Sequence, residues 1–546
     1  MLDYITFFGI SSREILWVFA QLHLNLAAFV IAIPTFALIV EIIGFKTRDK
    51  RYDRLAKDFA RLITISLSLT SILGAIFLFS IIALYPKFFS YFSQVFSGTM
   101  IFYAMLFFGE FISAYLYYYG WDRLKNKKLL HIFIGFFLNI FGIAIMFVAN
   151  AWVTFMMMPS GVKETGELYS LWSAINNPGW WPLNVHRLIA NLAFGGAIVA
   201  AYAASNFLSA ENENERAYYD WMGYVGNFIA VSALIPLPFA GYWLGLEIYK
   251  YDQQMGITLM GGVLSWLWIL QAIIIGVIFL GINYYLWVGM ERIEGAERYR
   301  KYVPALLLIM TVCFIIWFTP HSLVASLEEA RKIGATFHPL LSVLGIMTAK
   351  NTVVNIMILS TFLSFIIYRR SGKIPTTSWA RFGNLIFFSI IAVVAGYIIF
   401  LGIRGYFVET TVRINYSMYQ VLAVLFAFII CTPLDLAIYR KSKITGKIEW
   451  GHMPPRSQYM LIVIAVSFTW LMGLMGFARS SSRLNWHVYK IMEDTSHSAF
   501  VPSLGYAAKV VSLITIIFFI MIGVIFFLTK MLEHRQKEKF EFIKEY

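Results

Sequence analysis

Three residues stand where an ionisable side chain is hard to keep, and each suggests a chemistry. Glu110 sits near the middle of GTMIFYAMLFFGEFISAYLYYYGWDR, Gly98 to Arg123. That apolar run is long enough to cross a bilayer, which takes about 20 residues as a helix. A carboxylate at such depth costs roughly 2.5–3.5 kcal/mol or more unless it is protonated, paired or beside water. Proton transfer is one reading; a protonated glutamate bonded to a neighbouring helix is the other. His23, in VFAQLHLNLAA, and His186, in WWPLNVHRLIANLAFGGA, lie in two further apolar runs. A buried neutral imidazole must satisfy two nitrogens, which ligation of a haem iron does for one and a backbone carbonyl would do equally well.

A second group of polar residues falls in or beside later apolar runs. Lys350, in GIMTAKNTVVN next to Asn351 and Asn355, is placed for a proton or a propionate partner, or else snorkels or pairs structurally. Arg404, Arg413, Arg479 and Arg483 could clamp haem propionates in bidentate fashion, the ordinary alternative being an interfacial anchor. Glu247, in WLGLEIYKYDQQMG, marks a helix end where a donor could dock, or a solvated end.

The elements that must position these residues are membrane helices. With 59% hydrophobic and 14% charged residues over 546 positions, and a mean hydropathy of +0.70, the chain cannot be a water-soluble globule. The expected fold is an all-α polytopic transmembrane helical bundle of about 13 spans, near 14–43, 59–86, 98–120, 129–156, 184–208, 218–246, 260–289, 302–320, 339–368, 382–403, 414–439, 458–478 and 505–529. The 44 Lys and Arg against 30 Asp and Glu are a matter of topology and not of nucleic-acid binding. The first, third, ninth and eleventh connections are basic, which predicts the N-terminus outside and the C-terminus, with HRQKEK, cytoplasmic. The fifth connection, ENENER, adds little to this.

Finer details belong to packing. Pro34, and Pro236 with Pro238, are expected to kink their helices or open a cavity. Trp180 and Trp181 read as interfacial anchors. Cys313 and Cys431 lie in apolar runs, so no disulfide is expected, and no basic n-region or cleavage site marks a removable signal peptide. Of the remaining histidines, His321, His338, His487 and His497 are expected outside, whereas His131, His452 and His534 flank basic connections and read as solvated.

The motifs AQLHLNLA, FFGEFISAYLYYYGWDR, FVANAW (Phe147 to Trp152) and NVHRLIA, in this order, resemble subunit I of the cytochrome bd oxygen reductases. The combination of Glu110 with Gly120-Trp121-Asp122-Arg123 is the specific part, and the likeness is carried by residues 1–210. The resemblance implies His23 as ligand of the oxygen-binding haem, His186 as ligand of the low-spin haem b, and Glu110 as a glutamate serving proton delivery. A second family glutamate, two turns earlier, is replaced by Phe102. A third, a haem ligand, has no counterpart in GFARSSSRLNWHVYK, where His487 could replace it and Trp486, with Arg479 and Arg483, would adjoin the cofactor. The family's long quinol-binding loop shrinks to YKYDQQMG, Tyr249 to Gly256, and Met255 and Met260 are the candidates for the methionine ligand.

On this resemblance residues 1–290 form a haem-binding helical core and 291–546 additional membrane helices. The implied activity is reduction of oxygen to water with electrons from a quinol or cytochrome donor. Its cofactors would be haem b, with haem d or a second and third haem b. The expected setting is the cytoplasmic membrane of a prokaryote, in the lipid bilayer, with a second membrane subunit or a paralogous copy. Two other functions remain open: a haem b electron-transfer subunit without oxygen reduction, and an ion transporter, for which no clear repeat speaks.

Overall fold

The computed structural model describes residues 6–7, 10–261, 264–319, 328, 346–408, 410–495 and 504–544. Among these, thirteen helices are long and apolar enough to cross a membrane. They form two compact units: residues 1–195 with 472–546, and residues 196–471. These contact units are a different partition from the division by role expected at residue 290.

The first unit is built on α1 (Ser12–Thr47), α2 (Lys50–Leu84), α3 (Pro86–Tyr119) and α4 (Lys128–Met157). The short α5 (Leu171–Ile175), the first part of α6 (Trp180–Leu208) and a long C-terminal helix complete it. Helix α1 starts on a capping box in which Ser11 and Glu14 satisfy each other's backbone donors. It ends at Arg48, whose φ of 57° gives a left-handed cap, and Asp49 then caps α2 through the Arg51 N–H. Two residues therefore reverse the chain and force α1 and α2 to pack side by side. Pro34 lies inside α1, which continues through it, and its carbonyl accepts from Asn139 Nδ2 on α4 at 3.1 Å.

The second unit begins within α6 and continues through α7 (Glu213–Leu234), α8 (Leu237–Tyr251), α9 (Gln253–Met260), α10 (Ser265–Gly289), α11 (Glu297–Arg300), α12 (Val303–Trp317), α13 (Ile346–Arg370), α14 (Ala380–Arg404) and α15 (Thr410–Ile438). α7 ends and α8 begins at Pro236, whose missing N–H removes a ladder donor there. The segment Tyr249 to Gly256 is helical on both sides of Asp252, which caps α9. α16 (Pro455–Ser481) crosses back into the first unit, and α17 (Leu504–Lys544) ends the chain.

Contacts between connections support an alternating topology. Strands Lys373–Pro375 and Ser442–Ile444 pair antiparallel and join the ninth and eleventh connections. In the first unit Lys57 binds Asp122 at 3.1 Å, and Arg54 and Arg61 meet Glu533 of α17 at 3.7 and 3.9 Å. The first and third connections and the C-terminal helix end thus share one side, as the basic loops predict. At the other end, Arg13 holds Asp494 at 2.5 Å, and the Tyr489 N–H donates to the Met156 carbonyl at 3.0 Å.

Two expectations change. His131 is not solvated: it is 1% exposed, because it faces Glu41 of α1 and not the loop beside it. Of the presumed tryptophan anchors only Trp181 is exposed; Trp180 is buried and donates to the Phe147 carbonyl at 2.8 Å. His452 is exposed as expected, and Cys313 and Cys431 are buried and free. His321, His338 and His497, and the side chain of His534, lie outside the described residues.

Candidate functional site

His23 is set up by α2. Its Nδ1 lies 3.1 Å from the Thr70 carbonyl, and a carbonyl oxygen only accepts, so Nδ1 carries the hydrogen and Nε2 keeps its lone pair. This is how a metal-ligating histidine is oriented and its tautomer fixed. Gly74, one turn further along α2, leaves room for the ring: a Cβ there would come within 2.9 Å of His23 Cε1. Phe77 stacks on the same ring at 6.1 Å.

His186 lies in the first turns of α6, where a network ties that helix to α4. Asn150 of FVANAW donates to Asn184 at 2.7 Å and accepts from Arg187 Nη1 at 2.7 Å. The two motifs are therefore one joint. His186 itself is half-buried, and neither ring nitrogen has a hydrogen-bond partner among the described residues. An imidazole held at a helix joint with its nitrogens unspent is free to ligate.

Around the start of the twelfth connection the first unit gathers positive charge. Arg479, at the end of α16, interacts electrostatically with both Arg187 and Arg483. Arg483 is buried; its Nη1 donates to the His487 carbonyl at 2.7 Å, and its Nε has no partner among the described residues. Burial first, then the charges of Arg479 and Arg13, pull the Arg483 guanidinium down to about 9. Asp494, the buried acid nearby, is bound to Arg13. Arg187, Arg479 and Arg483 thus form a cationic wall with no carboxylate in salt-bridge contact among the described residues, a donor set suited to carboxylates from outside the chain. Trp486 and His487 open a two-residue-paired hairpin here. The His487 ring packs on Tyr85 and Phe88 at 5.0 and 5.4 Å, with Nε2 3.8 Å from Asp494 Oδ1.

Glu110 is buried on α3 opposite Gly142 of α4, where a Cβ would meet Oε1 at 2.9 Å. It has no hydrogen-bond partner among the described residues. Phe102 is 51% exposed and does not share its face; the polar group two turns back on that side is Tyr103, whose ring lies 5.1 Å from Trp152. The i, i+7 spacing could have pointed to Tyr103. Several buried acids also escaped the sequence reading, among them Glu41, between apolar residues near a basic loop, and Asp494, four residues beyond GFARSSSRLNWHVYK.

The remaining candidates lie in the second unit. Met255 is buried with its backbone N–H on Asp252 Oδ1, and Met260 closes α9, its side chain outside the described residues. Arg404 is exposed with Tyr416 at 6.0 Å, and Arg413 donates to the Val408 carbonyl at 2.9 Å. Glu247 pairs with Lys250 at 3.1 Å, and buried Lys350 donates to the Thr319 carbonyl.

The chain matches the model of the family described as cytochrome bd terminal oxidase subunit I over residues 12–536. The chain belongs to this family. The match runs well past the residues that carry the quoted motifs and takes in the helices of both units. A Bacillus subtilis (strain 168) protein described as a putative cytochrome bd menaquinol oxidase subunit I is 26% identical over 199 residues. That alignment covers 36% of this chain and 44% of the relative, less than half of the relative's own length. The solved structure of bd oxidase from Geobacillus thermodenitrificans superposes with a TM-score of 0.50 at 14% identity, covering 96% of this chain and 98% of that one. It shares the fold. The chain is accordingly a multi-pass membrane protein of the bd subunit I fold.

Proposed function

We propose that this chain is the haem-bearing subunit of a bd-type oxygen reductase, reducing oxygen to water with electrons from a quinol. The observation that carries the reading is His23, whose Nδ1–H is committed to the Thr70 carbonyl while Nε2 is left for a metal. His23 and His186 would hold haem iron, and Arg479 and Arg483, with Arg187, would receive propionates. Haem b is the basal cofactor; haem d or further haems b fill the oxygen site. When bound, the haems supply the electron transfer and the oxygen chemistry. The chain's own part is to hold them, to keep water away and to move protons.

Glu110 moves the protons. It is an acid without a cation partner in an apolar interior, opposite a glycine that leaves space at its carboxyl. In the first unit Trp486 would adjoin the propionate-binding arginines, with His487 as a further ligand candidate. The positive-inside rule puts the basic connections in the cytoplasm of a prokaryotic cell and the haem-ligand end outside. A second membrane subunit or a paralogous copy completes the complex.

The test is a pyridine haemochrome assay on the purified protein, coupled to oxygen consumption with a short-chain quinol. Haem b together with quinol-dependent oxygen uptake is expected. Haem without oxygen uptake leaves an electron-transfer subunit, and a protein without haem overturns the proposal.

A further inference from the structure

Glu41, His131, Tyr117 and Lys128 form a closed cluster of α1, α3 and α4 that the haem chemistry does not use. Glu41 is 0% exposed. His131 Nδ1 lies 2.6 Å from Glu41 Oε1, and His131 Nε2 lies 2.8 Å from the Tyr117 carbonyl. The Tyr117 hydroxyl donates to Glu41 Oε2 at 2.6 Å, and Lys128 Nζ is 2.9 Å from Oε1. Lys128 also reaches Asp53 of α2, at 3.2 Å, whose side chain is exposed. These are the charged and titratable groups that face the pair.

The geometry counts protons. The Tyr117 carbonyl can only accept, so Nε2 carries a hydrogen. The 2.6 Å contact between Nδ1 and Oε1 needs a second one, held either by an imidazolium beside a carboxylate or by a carboxylic acid beside a neutral imidazole. In both cases the pair stores one proton more than neutral histidine and ionised glutamate.

The cluster is also aligned with Glu110. Glu110, Ser113 and Tyr117 are buried on one face of α3, and seven residues span about 10 Å of helix. Across from them on α4, Gly142 faces Glu110 and Gly135 faces Tyr117, with Cβ approaches of 2.9 and 2.8 Å. Between those glycines Asn139 accepts from Thr35 of α1 at 2.8 Å. Ser113, Thr35 and Asn139 therefore place polar groups along the two turns that separate the two stations, a stretch that water can bridge.

We propose that Glu41 and His131 share one exchangeable proton and form the donating station behind Glu110, recharged from the exposed side through Asp53 and Lys128. The proposal rests on the oxygen-reductase reading. Discharge takes the proton from the Nδ1–Oε1 bridge: His131 is left neutral, Glu41 ionised beside Lys128, and Glu110 becomes a carboxylic acid. Oxygen reduction consumes that proton, and the next one enters from the aqueous side.

The test uses the haem-loaded protein in lipid nanodiscs. With ring-15N histidine, and infrared difference spectra to read carboxylic acids, the unmutated protein should show either an imidazolium at His131 or a protonated Glu41. A neutral His131 with an ionised Glu41 overturns the shared proton. Glu41→Gln and His131→Gln should retain haem and anaerobic reduction by an artificial donor, yet slow oxygen turnover about a hundredfold, the scale of a lost positioned proton donor. Asp53→Asn, a milder change at an exposed position, should shift the pH profile of turnover. Unchanged turnover and pH profile in the haem-loaded variants, or in Asp53→Asn alone should the buried variants fail to assemble, overturn the delivery role and leave a structural clamp. If the unmutated protein consumes no oxygen, the oxygen-reductase reading and the delivery role both fail, while the spectroscopic result still decides the shared proton.

Discussion

Two sets of arginines are treated in opposite ways: those around Asp220 and Asp435 in the second unit, and Arg187, Arg479 and Arg483 at one end of the first, where Arg61 elsewhere keeps its own partner, Asp58 at 2.9 Å. In the second unit Arg292 is clasped by Asp220, donates to the Tyr368 hydroxyl at 3.0 Å and lies over Trp450 at 4.5 Å. Asp435 likewise binds Arg369 and, at 2.7 Å, Arg370, which packs on Phe387 and Tyr439. In the first unit Arg187 and Arg483 hydrogen-bond only neutral oxygens, and Arg479 has no side-chain partner among the described residues. A buried charge is costly unless it is paired. Arg292 and Arg370 find their anion in the chain and hold helices together; the trio of the first unit has no carboxylate in salt-bridge contact among the described residues, and the proposal gives it the anion of a ligand. Glu110, buried without a cation, belongs with the trio.

The largest effect should come from breaking a completed pair. Asp220→Ala leaves Arg292 buried and uncompensated and should destabilise the protein by about 3–5 kcal/mol, read as a lower unfolding temperature with or without haem. A variant as stable as the parent would erase the contrast between the two sets. Glu110→Gln should come next: assembly and haem content stay, while quinol-dependent turnover falls by at least about a hundredfold, since the amide bonds but cannot release a proton. Full turnover would move Glu110 to the structural side of the comparison. Smaller still is Arg483→Leu. Removing an unpaired buried cation should leave the haem-free protein at least as stable, while the haem-loaded protein shows a lowered midpoint potential as propionate charge goes uncompensated. An unchanged potential would detach Arg483 from the cofactor. A cytoplasmic reporter fused after Lys544 should be active and one near Gly161 silent, which costs the protein nothing and fixes the sides.

The helices were legible because their signal is compositional: a run of about 20 apolar residues is sufficient, and Pro236 marks a helix break although Pro34 does not. His23, His186 and Glu110 stood out as candidates for the complementary reason, since polar residues inside such runs are few. What remained hidden needed three dimensions. His131 reads as a loop histidine until Glu41, ninety residues away, is brought against its ring. The carbonyl that fixes the His23 tautomer belongs to Thr70, and a backbone atom leaves no mark in a sequence. FVANAW and NVHRLIA read as separate motifs, whereas Asn150 and Asn184 join them beside His186.

The central claim is that the unspent groups of the first unit hold haem, and the most direct measurement is the reduced-minus-oxidised spectrum and haem stoichiometry of His23→Ala and His186→Ala beside the parent protein. Each variant is expected to lose or convert a different haem component while the other stays. Retention of every component, with unchanged midpoint potentials, in either variant would contradict the assignment of that histidine.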